Sequence, residues 1–227
     1  MPFPDLADRL NVVRERINSA VQRGGHGQAV TIVAVTKTHG HDAVVAAWEA
    51  GLHDVGENRV QEALPKMDAG TVPVRWHLIG HLQRNKVKSL SRFDLFHALD
   101  SLRLADAVDE LGRAANHPVE ALLQVNVVGE ATKGGFAESE WRAAADHVRA
   151  QSGVRLRGVM TMAPFDADER TLRSVFSGAR RARTTLCDAG HPATELSMGM
   201  SNDYELAVEE GATFVRLGTV LFGARPA

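Results

Sequence analysis

The sequence predicts a (β/α)8 barrel preceded by one extra helix, on three observations. Eight short apolar or β-branched runs follow one another along 227 residues. Alanine-rich stretches with helical periodicity separate them. The length also suits the fold, since single α/β barrels commonly occupy about 200–250 residues. Continuous apolar strands alternating with helices indicate parallel pairing with both faces covered. Eight such units are the count of a closed (β/α)8, or TIM, barrel.

Near the N-terminus, Leu6, Leu10, Val13 and Ile17 stand three or four apart, forming the apolar face of an amphipathic helix. The strand runs are 30–36 (VTIVAVT), 54–57, 74–79 (VRWHLI), 95–98 (LFHA), 119–127 (VEALLQVNV), 154–161 (VRLRGVMT), 193–198 and 213–217 (TFVRL). The helical stretches between them are 41–51, 59–67, 83–90, 101–115, 138–151, 168–189 and 202–210. The runs at 54–57 and 95–98 are short and weakly marked, so an open doubly wound sheet is the competing architecture. No Pro-, Gly- or Ser-rich linker divides the chain, and the loop 129–135 (GEATKGG) is too short for a domain boundary. Residues 1–227 are therefore expected to form one domain.

Composition narrows the function. With 26 Lys and Arg against 28 Asp and Glu, the formal net charge is −2, without the basic excess of a nucleic-acid-binding protein. The 44% hydrophobic and 24% charged fractions are those of an ordinary soluble domain. No apolar run approaches the roughly 20 residues that span a bilayer, and the N-terminus lacks a signal-peptide layout. The single cysteine, Cys187, excludes an internal disulfide and fits a reducing cytoplasm. A soluble cytoplasmic protein with no membrane or nucleic-acid partner is expected.

In parallel α/β folds, functional groups collect where strands end. Of the five lysines, Lys37 alone directly follows a long apolar strand. A lysine partly desolvated at a barrel mouth has a lowered pKa and can form a Schiff base. The position equally suits a salt-bridged or snorkelling strand-end lysine, and the residues alone leave both readings open. A second feature is ELSMGMSNDYELAVEEG (195–211), in which Gly199 leads into a helix capped by Ser201 or Asn202. Such a turn offers N–H groups to an anion, phosphate above all. After the last strand, RLGTVLFG (216–223) places Gly218 where backbone can approach a ligand closely. Small-residue turns after the last two strands match the phosphate site recurrent in barrels.

Other features are plainer. His77 and His81 are four apart in WHLIGHLQRNKVKSL (76–90), but Gly80 breaks the element between them. Without helical geometry or an acidic third ligand, no metal site is expected; His77 reads as a polar strand residue and His81 as a loop hydrogen-bonder. Arg180, Arg181 and Arg183 read as a solvated helix face, and Cys187 as structural.

Taken together, the motifs resemble one family in particular. VAVTK (33–37), VGENRVQEAL (55–64), WHLIGHLQRNK (76–86), VNVVGEATKGGF (125–136), GVMTM (158–162), LSMGMSNDYELAV (196–208) and VRLGTVLFG (215–223) occur in order over nearly the whole chain. Their pattern is similar to that of the YggS/PROSC group of pyridoxal 5′-phosphate (PLP) homeostasis proteins, relatives of the alanine racemase barrel domain. Departures are slight: His39-Gly40 where a proline or basic residue often follows the lysine, and Arg59 where an aromatic or basic residue is common.

The resemblance implies a fold-type III PLP-binding barrel in which Lys37 forms the Schiff base. It implies that Ser201, Gly218 and Thr219 hold the phosphate, that Met200 lines that turn, and that Arg216 faces the pyridine nitrogen. Asn58 and Met160 are implied to line the cofactor. Arginine only donates hydrogen bonds, so it leaves that nitrogen unprotonated and the ring a weaker electron sink. Racemases of the superfamily add a second domain carrying a tyrosine base. This chain ends at Ala227, shortly after the eighth strand, and its one tyrosine, Tyr204, lies in the helix after the phosphate turn. The expectation is a monomeric, non-catalytic PLP carrier delivering cofactor to PLP-dependent apo-enzymes. The alternatives are an amino-acid racemase of weak, broad activity and a barrel enzyme acting on another phosphorylated metabolite. Lys133 is a candidate second amine for transfer, or a solvated loop lysine.

Overall fold

Burying the stripe of Leu6, Leu10, Val13, Ile17 and Ala20 is what makes the first segment a helix. In the computed structural model of the chain, which describes residues 3–129 and 134–223, helix α1 runs Leu6–Gly24. It stops where Gly25 turns left-handed (φ 69°) and donates its N–H to the Val21 carbonyl.

The strands are β1 Thr31–Val35, β2 Asp54–Glu57, β3 Arg75–Leu78, β4 Leu95–Leu99, β5 Val119–Gln124, β6 Val154–Met160, β7 Glu195–Ser197 and β8 Phe214–Leu217. Each pairs in parallel with the next. β8 returns to β1, with Ile32 beside Val215 and Val33 beside Arg216. That pairing closes the barrel and excludes the open doubly wound sheet. Both weakly marked strands are present. β2 is fully buried, and its charges are neutralised by partners on β3 and the following helix rather than by water.

Around the barrel run α2 His41–Glu49, α3 Val60–Ala69, α4 Leu102–Ala114, α5 Trp141–Arg149, α6 Glu169–Asp188, α7 Tyr204–Glu209 and α8 Thr219–Phe222. Four features differ from the sequence expectation, the first being α8, for which no helical stretch was read. The stretch 83–90 forms a 3-10 helix, Arg84–Arg92, whose buried residues Val87 and Leu90 stand three apart, the repeat of that tighter helix. A short 3-10 turn, Glu138–Glu140, precedes α5. α7 begins at Tyr204, not 202, because residues 200–203 close a turn of their own. There Asp203 Oδ1 accepts from the Met200 N–H at 2.6 Å, and the Asp203 N–H donates to the Met200 carbonyl. Asp203, not Ser201 or Asn202, is therefore the residue before the helix.

The apolar core packs on both faces of the strands and includes Leu99, Leu122, Leu123 and Leu156, all fully buried. Each contributes roughly 1.5–3 kcal/mol by transfer from water. The barrel interior departs from the usual stacked Val, Ile and Leu. His97 on β4 bonds Ser197 on β7, a contact between non-neighbouring strands that only the interior allows.

At the surface, Arg180 bonds the Glu210 carboxylate at 2.9 Å and Arg183 the Thr194 carbonyl. These arginines thus staple α6 to neighbouring elements as well as face solvent. Cys187 is exposed, with its Sγ donating to the Ala193 carbonyl at the end of α6. No described helix is long and apolar enough to cross a membrane.

Candidate cofactor site

A cavity of about 690 Å³ opens where the strands end, within the range of small-ligand sites. Lys37, Asn58, Met200, Ser201, Arg216, Gly218 and Thr219 all line it. Seven of the eight residues expected at the site are therefore brought together. Met160 is the exception. It is fully buried, in register with Ser197 and Gln124, and is not among the residues that line the cavity. Met162, two residues on and so on the same strand face, lines the cavity instead.

Lys37 stands on a braced turn. Before it, Thr36 Oγ1 donates to Glu57 Oε1 at 2.5 Å, and Lys66 Nζ donates both to Glu57 Oε1 (2.6 Å) and to the Thr36 carbonyl (2.8 Å). Glu57 is wholly buried. Burial pushes its carboxyl above the ordinary value, against the opposing pull of Lys66 and Thr36. After Lys37, Thr38 adopts φ 68°, a left-handed conformation that costs a β-branched residue about 1–3 kcal/mol. Its N–H donates to Glu62 Oε2. The lysine is thus gripped on both sides by side chains of β2 and α3.

Asn58 follows β2 and packs against Gly80, which follows β3. A Cβ on Gly80 would lie 2.9 Å from the Asn58 Cα, so only glycine permits this approach. Across the mouth, His81 Nδ1 and Asp100 Oδ2 are 2.8 Å apart, and both line the cavity with Ile79, Gln124 and Phe165. Sequence reasoning did not select Asp100, Gln124, Ile79, Met162 or Phe165. Apart from Phe165, which lies in the loop before α6, each sits within two residues of a strand's C-terminal end, so the rule that singled out Lys37 would have found them.

The two small-residue turns meet as expected. Gly199 has φ 91°, and a Cβ there would lie 2.7 Å from that of Ala207. The Val220 N–H donates to Ser201 Oγ at 3.3 Å, tying the turn after β7 to the one after β8. Among the described residues, the N–H groups of Ser201 and Asn202 have no protein acceptor.

Arg216 on β8 is buried, with Nη1 donating to Ser197 Oγ (2.6 Å) and Nη2 to the Thr161 carbonyl (2.9 Å). Both partners are neutral. Among the described residues no carboxylate pairs with it directly. Burial lowers its pKa to about 10, against the opposing charge of Asp203, so it remains a cation at neutral pH. A buried cation without a bonded carboxylate is costly, and this one borders the cavity.

The remaining expectations separate cleanly. His77 is inside the barrel, bonded to Asp54 and His97. Tyr204 is buried outside the cavity, and burial holds its phenol above the ordinary value. Lys133 lies outside the described residues.

Comparison with known proteins agrees with this geometry. Residues 9–226 match the family described as alanine racemase, N-terminal domain. The chain is 41% identical over 223 residues to the pyridoxal phosphate homeostasis protein of Pseudomonas aeruginosa, covering 97% of this chain and 96% of that one. It is 39% identical to the protein of the same name from Aquifex aeolicus, covering 97% and 99%. Its fold superposes on PipY of Synechococcus elongatus PCC7942, solved with PLP bound, at a TM-score of 0.85 and 34% identity, covering 96% and 100%. The chain belongs to the alanine racemase N-terminal domain family and, within it, to the pyridoxal phosphate homeostasis proteins.

Proposed function

We propose that the chain binds PLP in this cavity as one barrel domain and serves PLP homeostasis by carrying the cofactor. One observation carries the reading: a buried arginine that, among the described residues, bonds only neutral groups borders the same cavity as the braced Lys37. The donor set fits a ligand with an aldehyde, a phosphate and a ring nitrogen. When bound, PLP supplies an aldehyde that condenses with a primary amine, releasing water.

In this reading Lys37 supplies the amine. Ser201, Gly218 and Thr219 hold the phosphate through hydroxyl and backbone donors, with Met200 alongside. α7 has six residues and α8 four, so these local N–H groups bind the phosphate with little help from a helix dipole. Asn58 flanks the ring. Arg216 keeps its own proton and donates to the pyridine nitrogen, which lowers the ring's capacity to accept electrons. Tyr204 lies outside the cavity, so no tyrosine faces Lys37 as a second base. This favours carriage over inversion of a stereocentre.

We infer PLP-dependent apo-enzymes as the recipients, and a monomeric carrier in the cytoplasm. The decisive experiment reduces the PLP-loaded protein with borohydride and maps the added mass. It is expected on Lys37 and absent from Lys37→Ala; a variant that still fixes the cofactor elsewhere in the cavity would refute the assignment. Measuring PLP release to an apo-enzyme beside Cα–H exchange of L-amino acids in deuterated water then separates carrier from racemase.

A further inference from the structure

One line of buried polar groups crosses the barrel from end to end, with Arg216 at the cavity end of it. At the cavity, Arg216 Nη1 meets Ser197 Oγ at 2.6 Å. Ser197 Oγ is 2.8 Å from His97 Nδ1, and His97 Nε2 is 2.8 Å from His77 Nδ1. His77 Nε2 is 2.9 Å from Asp54 Oδ1, which Arg75 also grips. Asp54, Arg75 and His77 border a separate cavity formed where the strands begin. The chain therefore joins the two mouths of the barrel, and Phe214 packs against both imidazoles.

The ends fix the direction of every hydrogen bond. Arg216 can only donate, and the Asp54 carboxylate can only accept. Burial pushes the Asp54 carboxyl up, but bonds from His77 and Arg75 outweigh it and hold it below its ordinary value, so it is ionised. His77 Nε2 must then carry a proton. His97 is fully buried, and burial, reinforced by His77 and Arg216, keeps it neutral. Ser197 accepts from Arg216. Its own proton finds an acceptor, among the described residues, only at His97 Nδ1. His97 must then donate from Nε2 to His77 Nδ1, and the line is complete with every proton placed.

A barrel interior could hold apolar side chains at lower cost. Here the polar line leaves Ser197 presenting lone pairs, never a proton, to Arg216. We propose that Ser197, His97, His77 and Asp54 are positioning residues that hold Arg216 as a donor aimed into the cavity, so that the site selects ligands by an acceptor nitrogen. The selection rests on the reading of the cavity as a PLP site; the proton order along the line does not.

The test compares affinities for PLP and for its carbocyclic analogue, in which CH replaces the pyridine nitrogen. A hydrogen bond to a charged donor predicts that the unmodified protein favours PLP by about tenfold to a hundredfold. Ser197→Ala and His97→Leu are expected to lose most of that ratio while binding inorganic phosphate as before. His97→Gln, whose amide can accept from Ser197 and donate to His77, is expected to restore it. The second readout needs no variant or ligand: ¹⁵N chemical shifts of the histidines should show His97 protonated at Nε2 and bare at Nδ1.

Equal affinity of the unmodified protein for the two ligands would overturn the placement of Arg216 against the nitrogen, and the proposed selection with it. Discrimination that persists in Ser197→Ala and His97→Leu would overturn the positioning role alone. A His97 protonated at Nδ1 would overturn the proton order whatever the ligand does.

Discussion

Replacing Lys66 by methionine keeps most of the apolar stem of α3 in place but strips Glu57 of its bonded cation. Glu57 is fully buried and the Lys66 side chain 9% exposed, so water cannot replace the lost partner. Left ionised, Glu57 would carry the penalty of a broken buried pair, about 3–5 kcal/mol. It escapes part of this by taking up a proton. Holding neutral at pH 7 a carboxyl whose ordinary value is 4.5 costs about 2.5 × 1.36, or roughly 3.4 kcal/mol. The lost bond to the Thr36 carbonyl adds about 1 kcal/mol, so a deficit near 4 kcal/mol is expected at pH 7. The sign with pH follows from a folded-state value that lies above the unfolded one. Such a group opposes folding above pH 4.5, and the opposition fades as acid protonates both states. At pH 5 the deficit should therefore shrink to about 2 kcal/mol. Urea unfolding at the two pH values measures it. A deficit under about 1 kcal/mol at pH 7, or one that grows on acidification, would refute the reasoning. Because Lys66 also grips the carbonyl before Lys37, the yield of borohydride-fixed PLP should fall in parallel.

Three further outcomes follow from the same structure. Ser201→Ala removes the hydroxyl that accepts from Val220; titration calorimetry should show inorganic phosphate and PLP affinities falling together, by about fivefold to tenfold. Gly80→Ala drives a methyl into Asn58; thermal unfolding should register a loss of about 1–3 kcal/mol together with weaker PLP binding. Tyr204→Phe deletes a buried hydroxyl that makes no well-formed hydrogen bond among the described residues and is only lightly touched by Arg16, so stability should stay within about 0.5 kcal/mol and PLP affinity should not change.

Lys37 was legible because a long apolar run points directly at it, and the run needs no partner to be recognised. The two turns after β7 and β8 were legible for a similar reason, since glycines mark sharp turns locally. β2 was harder to read, because Asp54 and Glu57 interrupt its apolar pattern. Their counter-charges, Arg75 and Lys66, stand on other elements. The connections of the polar line across the barrel were not legible in the sequence. His97 and Ser197 are 100 residues apart, and although Ser197 stands in the 196–208 motif and His77 in the 76–86 motif, nothing local ties either to His97. Met160, brought in by the resemblance alone, is not among the residues lining the cavity, and nothing in the sequence distinguished it from Met162 two residues on. The start of α7 was misjudged because Asp203 reaches backward to Met200, a local closure that competes with capping by Ser201 or Asn202.

The pairing of β8 with β1 has a consequence for how the site comes into being. Lys37 follows the first strand and Arg216 lies near the end of the last, so the two groups proposed to grip opposite ends of the ligand come from the first and last strands. They become neighbours only when the seam shuts. Until the final strand has docked, a growing or partly opened chain holds an amine without its arginine, and loading must await completion of the barrel. By mass action a ligand bound across that seam stabilises the shut form over every open one. Cofactor occupancy and integrity of the closure are thus two readings of one equilibrium.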